Sequence, residues 1–219
     1  MSHRLFLVRH AHVDVDTERP AHDWRLSEQG REAARQLGAS PRWTDLSLIA
    51  SSPEPKAVAT AEPIAAATGL SLRVEEDLRE VRRGATWTVG ENAYVRLVGE
   101  YFAHPERPAD GWEPAPEAQR RVVRCIERLL AESEGDVCAV SHGLALSLYI
   151  ASLDGRATPS LEEWRSIPLP SVAVVDVERR RVLEPFELEP RSLGTGQVRG
   201  RPRTPPRAVQ SAPAAQRSS

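Results

Sequence analysis

Lysine is nearly absent from this chain: of its 29 basic residues only Lys56 is a lysine. Cysteine is almost as scarce. Cys125 and Cys138 lack C-x-x-C spacing and fall among apolar neighbours, one in a helical pattern and one in a strand pattern. That argues against a disulfide framework and for two reduced, buried thiols in a cytoplasmic protein. No apolar run reaches the roughly 18 residues that a membrane-spanning helix needs. The opening Met-Ser-His-Arg with its short apolar run is too brief for a secretory signal. The six histidines are scattered, with no His-x-x-x-His or His/Cys set at ligand spacing, so no metal centre is expected. A glycine loop of the nucleotide-cradling kind is missing too. These absences leave a chemistry carried by side chains, with neither metal nor cofactor.

With 219 residues, 40% hydrophobic and 27% charged, the chain can bury one substantial core. Its net charge of −2 conceals an asymmetry. Residues 191–219 hold six arginines and no acid, so the preceding body is acidic. An acidic body is unsuited to general nucleic-acid binding, and a phosphate site within it must be a local cationic pocket. Residues 191–219 also lack aromatics and are rich in Pro, Gly, Ser and Arg, a composition that cannot offset its ordering entropy. The expected organisation is one folded domain over 1–189 and a disordered Arg/Pro-rich tail over 190–219. The tail is either a solvated extension or a basic arm that touches RNA, membrane or a partner.

Strand signals lie at 4–8, 46–50, 70–74, 137–140 and 171–177, with helical patterns between them. A helix over 28–37 follows Ser27, a good N-cap, and stops at Gly38. Another spans 55–68 and closes at Gly69. A third, over 91–103, carries Tyr94, Leu97, Val98, Tyr101 and Phe102 on one stripe, which reads as core. A fourth covers 116–132. A fifth, 143–153, is apolar nearly all round and should be buried. Ser160-Leu-Glu-Glu163 has the spacing of a capping box. Strands alternating with helices predict a three-layer α/β/α domain with a mostly parallel sheet.

The chemistry gathers at two strand ends. The apolar run Leu5-Phe6-Leu7-Val8 stops abruptly at Arg9-His10, which places a cation and an imidazole where open α/β sheets bind ligands. A second run, Val137-Cys138-Ala139-Val140, leads to Ser141-His142-Gly143 and a helix. Two imidazoles at two strand ends, beside small or cationic neighbours, suit capture of a phosphoryl group. Gly143 allows close backbone approach, and the helix start offers N–H groups to an anion.

Four segments in order then resemble the histidine phosphatase superfamily, also called the phosphoglycerate-mutase-like family. They are Leu7-Val8-Arg9-His10-Ala11, where that family has Arg-His-Gly; Leu26-Ser27-Glu28-Gln29-Gly30; Ser51-Ser52-Pro53-Glu54-Pro55-Lys56-Ala57 continuing through Thr60-Ala61-Glu62; and Ser141-His142-Gly143. The resemblance implies that His10 is the nucleophile that becomes a phosphohistidine, that Arg9 and Lys56 hold the phosphoryl oxygens, and that His142 steadies the transition state. A histidine at a cationic site is pushed toward its neutral, nucleophilic form. Lys56 stands where the family has arginine. The segment Leu78-Arg79-Glu80 resembles the family's general-acid segment and implies Glu80 as proton donor, with Glu75, Glu76 and Asp77 as nearby decoys. Arg83 replaces the family's aromatic before Gly84. Asp16 falls where an asparagine is usual, and His12 lies either at the pocket mouth or in an exposed loop.

The implied activity is hydrolysis of small phosphomonoesters through a phosphohistidine, without cofactor. The partner would be a small phosphorylated metabolite, with no nucleic acid or membrane for the main domain. Three alternatives use the same residues: phosphoglycerate mutase-type transfer, a phosphohistidine or other phosphoprotein phosphatase, and a non-catalytic phosphate-binding module.

Overall fold

A computed structural model describes residues 3–83, 90–107 and 111–188. Six strands form one sheet: β1 (Arg4–Arg9), β2 (Leu46–Ser51), β3 (Leu72–Val74), β4 (Asp136–Ser141), β5 (Ser171–Asp176) and β6 (Arg181–Glu187). Their spatial order is β3-β2-β4-β1-β5-β6. The first four run parallel, whereas β5 pairs antiparallel with β1, and β6 with β5. Among the described residues the α-helices are α1 (Glu28–Gly38), α2 (Pro55–Thr68), α3 (Glu91–Ala103), α4 (Ala115–Ala131), α5 (Gly143–Leu153) and α6 (Leu161–Arg165).

The central strands are covered on both faces, which is why they read as unbroken apolar runs. Successive side chains alternate between the layers. Leu5, Leu7, Val137, Ala139, Ala173 and Val175 pack with Val122, Ile126 and Leu129 of α4 and Leu146 of α5. Phe6, Val8, Cys138, Val140, Val172 and Val174 pack with Leu37 of α1 and Ala57, Ala61 and Ile64 of α2. Each large side chain fully buried here contributes about 1.5–3 kcal/mol. A third cluster joins Val98, Tyr101 and Phe102 of α3 to Leu144 and Leu148 of α5 and Trp164 of α6. The expected three-layer architecture is the one observed. Cys125 and Cys138 are buried and unpaired. No helix among the described residues is long and apolar enough to cross a membrane.

The N-cap signals landed where capping chemistry put them, whereas Gly38 is the last residue of α1, packed against Pro63, and the cap is Ala39. The Ser27 hydroxyl accepts the Gly30 N–H at 3.0 Å, and Ser160 and Glu163 form the reciprocal box that starts α6. Gly30 has a second duty. A Cβ there would lie 2.0 Å from the His12 carbonyl oxygen, so the loop after β1 rests directly on the first turn of α1.

Two strands differ from expectation. β3 begins at Leu72 because only Ile49, Ala50 and Ser51 of β2 face it. β6 was not anticipated. Its side chains are exposed apart from a half-buried Phe186, and it carries Pro185, which an edge strand tolerates. The tail over 190–219 lies outside the described residues.

Candidate active site

The parallel strands β1, β2 and β4 end side by side, with Arg9 facing Ser141 across one ladder and Ser51 facing Val140 across the other. Two further backbone bonds extend the pairing past the strands: His10 N–H to Ser141 C=O and Ser52 N–H to Val140 C=O, both 3.0 Å. This register brings His10 and His142 together, with ring centroids 5.1 Å apart.

The His10 Nδ1 lies 2.8 Å from the Ala11 carbonyl oxygen. A carbonyl only accepts, so Nδ1 carries the proton and the Nε2 lone pair is left free. Burial pushes the His10 pKa well below its ordinary value, and the fields of His142, Lys56 and Arg9 push the same way. The Ala11 N–H donates to Thr60 Oγ1 at 3.0 Å, and that hydroxyl donates to the Lys56 carbonyl at 2.7 Å, which ties the nucleophile loop to α2. Arg9 donates through Nη1 to the Ile167 carbonyl, while its buried Nε has no partner. Burial lowers the Arg9 pKa, and the nearby Glu80 opposes that shift. Gly143 leaves room for this guanidinium: a Cβ there would stand 3.2 Å from Arg9 Cζ and 3.1 Å from Trp164 Nε1.

His142 is fully buried. Its Nε2 lies 2.8 Å from Ser52 Oγ and 3.5 Å from Glu54 Oε1, and its Nδ1 has no partner. Burial and the cations Lys56, Arg83, Arg121 and Arg9 lower its pKa well below the ordinary value. Lys56, on the first turn of α2, is 4% exposed. Its ammonium donates to Glu54 Oε2 at 2.5 Å and to the Ala21 carbonyl at 2.8 Å. Burial pulls the Lys56 pKa down and Glu54 holds it up.

The Glu80 carboxylate sits over the start of α5. Oε2 accepts the Leu144 N–H at 3.1 Å; Oε1 accepts the N–H groups of Ala145 and Val81, each at 2.9 Å. The helix terminus expected to offer its N–H groups to an anion is therefore partly taken by a carboxylate of the protein. Arg121 of α4 fixes the backbone that carries Glu80. It donates to the carbonyls of Asp77 and Arg79 at 2.8 Å and of Glu80 at 3.0 Å, and pairs through two nitrogens with the buried Glu113 at 2.9 Å.

Residues 5–184 match the sequence profile of the histidine phosphatase superfamily (branch 1). The chain belongs to this superfamily. Among curated superfamily relatives, the "Putative phosphoserine phosphatase 2" of Hydrogenobacter thermophilus is 28% identical over 167 residues, covering 72% of this chain and 82% of the relative. The "Probable phosphoglycerate mutase GpmB" of Salmonella choleraesuis is 28% identical over 163 residues, covering 69% and 75%. Among solved structures, YhfR of Bacillus stearothermophilus superimposes with a TM-score of 0.65 at 25% identity, covering 84% of this chain and 96% of that one.

All six residues that superfamily motifs implied, Arg9, His10, Lys56, Glu80, His142 and Gly143, converge on these strand ends. Three residues had no motif signal. Glu54 occupies a variable position of the Ser-Ser-Pro segment, yet it is 5% exposed and bridges Lys56, His142 and the Glu80 N–H. Arg121 was legible only as a charge beside the apolar stripe of its helix. Tyr94 was read as core, and it does pack against the third cluster, with its ring edge-on to Trp164, but its hydroxyl also accepts from Arg83. Two other positions singled out in the sequence hold local partners. His12 Nδ1 pairs with Ser27 Oγ at 2.9 Å, and Asp16 pairs with Arg19 at 3.3 Å.

Proposed function

We propose that this protein hydrolyses small phosphomonoesters in two steps, with His10 as the nucleophile. The observation that carries the reading is the state of His10. Its Nδ1–H is committed to a main-chain carbonyl, its Nε2 is without a hydrogen-bond partner among the described residues, and burial among cations keeps the ring neutral. In the first step Nε2 attacks phosphorus, the P–O bond to the alcohol breaks, and Glu80 delivers a proton to the departing oxygen. In the second step Glu80 takes a proton from water, water attacks the phosphohistidine, and inorganic phosphate leaves.

Arg9, Lys56 and His142 share the charge that spreads over the phosphoryl oxygens. With Ser52 donating to Nε2 of His142, Nδ1 is left as a buried donor that a phosphoryl oxygen would satisfy. An ammonium has three protons, and Lys56 commits two of them within the protein. The third remains for the ligand.

The phosphoserine phosphatase and phosphoglycerate mutase named among the relatives are equally distant, and the same pocket would serve net transfer to a second oxygen. Rapid mixing with p-nitrophenyl phosphate should leave acid-labile, base-stable phosphate on the protein, and His10→Ala should lose both the label and the turnover. Substantial turnover by His10→Ala would overturn the mechanism. Conversion of 3-phosphoglycerate to its isomer faster than release of free phosphate would replace hydrolysis by transfer.

A further inference from the structure

Lysine in place of arginine at 56 changes more than shape. An arginine keeps its charge when buried, whereas a buried lysine gives up its proton readily. Lys56 is withdrawn from solvent, and burial pulls its pKa down. A neutral amine there would offer a phosphoryl oxygen a weaker donor and no charge. The groups around this ammonium come from several parts of the chain. Glu54 touches it at 2.5 Å and the Ala21 carbonyl at 2.8 Å. In the turn Ala21–Asp23, His22 and Asp23 face each other at 3.7 Å. His10 at the end of β1 and His142 at the end of β4 lie within reach of its charge. From the segment after β3, Glu80 favours the ammonium and Arg83 opposes it. Among the described residues Glu54 supplies the one carboxylate within hydrogen-bonding distance.

Glu54 is not spent on its own helix. It is the N-cap residue of α2, where a short polar side chain ordinarily accepts from the first turn, yet its carboxylate makes no capping bond. Oε2 takes the Lys56 ammonium, and Oε1 takes the Glu80 N–H at 3.0 Å, which anchors the carboxylate by its other oxygen. Residues two apart within a helix do not face each other. Glu54 meets Lys56 because, at φ −65° and ψ 131°, it stands outside the helical path. An anchored carboxylate both fixes where the ammonium points and favours its charged form.

We propose that Glu54 is a positioning residue that holds Lys56 as an oriented ammonium, so that the Glu54–Lys56 pair takes the place of the single arginine in the superfamily motif. For what the ammonium binds, the proposal rests on the phosphomonoester reading above. The ionic state of the pair is independent of that reading and can be measured without turnover.

The chain has a single lysine, so carbon-13 at lysine Cε gives the full-length protein one such resonance to titrate. That resonance should titrate at lower pH in Glu54→Gln than in the wild type. Glu54→Asp keeps the charge but draws it back by one methylene, and should fall between the two. It also keeps the series readable if Glu54→Gln folds poorly. The second readout is kcat/KM on p-nitrophenyl phosphate, which reports groups of the free enzyme. In Glu54→Gln it should fall about tenfold per pH unit once Lys56 has lost its proton, while the wild type stays level to higher pH. Adding Lys56→Arg to Glu54→Gln should remove that decline, since a guanidinium keeps its proton. A resonance that titrates alike in the wild type and both Glu54 variants would overturn the proposal. So would a Glu54→Gln loss of equal size at every pH, or a decline that survives Lys56→Arg, because Glu54 would then serve the fold or another group. Absence of turnover by the wild type would defeat the hydrolytic reading alone, and the lysine resonance would still decide the pair.

Discussion

The two sides of the phosphoryl pocket are finished to different degrees. At the end of β1, Arg9 keeps an unpartnered Nε and His10 an unengaged Nε2. At the start of α2, Lys56 is already bound to Glu54, and Glu54 reaches on to His142 and to the Glu80 backbone. A ligand completes the first side; on the second it joins a network that Glu54 already holds together, and adds partners for His142 Nδ1 and the third Lys56 proton. Replacing arginine by lysine at 56 explains part of this. A compact ammonium cannot span an internal carboxylate and a ligand with the reach of a guanidinium fork, so the carboxylate comes to the ammonium.

That contrast sets the size of mutational effects. Lys56→Met removes one partner of a buried pair and strands the Glu54 carboxylate, so urea unfolding should show a loss of about 3–5 kcal/mol. Combining it with Glu54→Gln should recover most of that loss. If the single and double variants unfold alike, the Lys56–Glu54 pair is not what stabilises this side. Arg9→Met breaks no ion pair, so its stability should stay near that of the wild type. Its kcat/KM on a phosphomonoester should fall about 10²–10³-fold, the cost of one oriented donor to a developing oxyanion. Should Arg9→Met unfold as readily as Lys56→Met, the two sides do not differ as described.

The effect of protons is the smallest per pH unit. His10 and His142 have folded pKa values well below the unfolded value of 6.5. Below pH 6.5 the unfolded chain binds protons that the folded chain refuses, so stability is whole above that pH and declines as pH falls. The slope approaches about 1.4 kcal/mol per pH unit for each histidine. Melting temperatures between pH 7 and pH 5 check this, and His10→Ala should make the decline shallower. An unchanged slope in that variant would show that His10 titrates alike in both states.

Much of this was legible in the sequence because the residues in question obey short-range rules. Buried parallel strands must be apolar on both faces, and Ser27, Gly69 and the Ser160–Glu163 pair sit where caps belong. The candidate site residues Arg9, His10, Lys56, Glu80, His142 and Gly143 were legible through motifs. What stayed hidden depends on long-range placement. β6 is an exposed edge whose apolar Val182, Leu183 and Phe186 are interrupted by Glu184 and Pro185, and its pairing with β5 is what makes it a strand. Glu54 and Arg121 carry charges that a pattern reading assigns to solvent, and only the tertiary fold seals them in. Tyr94 shares its stripe with the buried Tyr101 and Phe102, and nothing local separates a core ring from one that faces a guanidinium.

The contact between His10 and the Ala11 carbonyl has an inheritance of its own. It is written in no side chain, so no exchange of one residue type for another deletes the acceptor. A phosphoryl group on Nε2 would turn the ring into a cation, and the oxygen facing its other nitrogen belongs to the peptide group. That oxygen does not titrate near neutrality and carries no full charge for a competing cation to capture. Sequence drift can erode the charged groups around the nucleophile one at a time, while the choice of which ring nitrogen stays bare remains fixed by the path of the main chain. Chemical synthesis could reach this contact where genetics cannot, by placing an ester, a weaker acceptor, in place of the amide between Ala11 and His12.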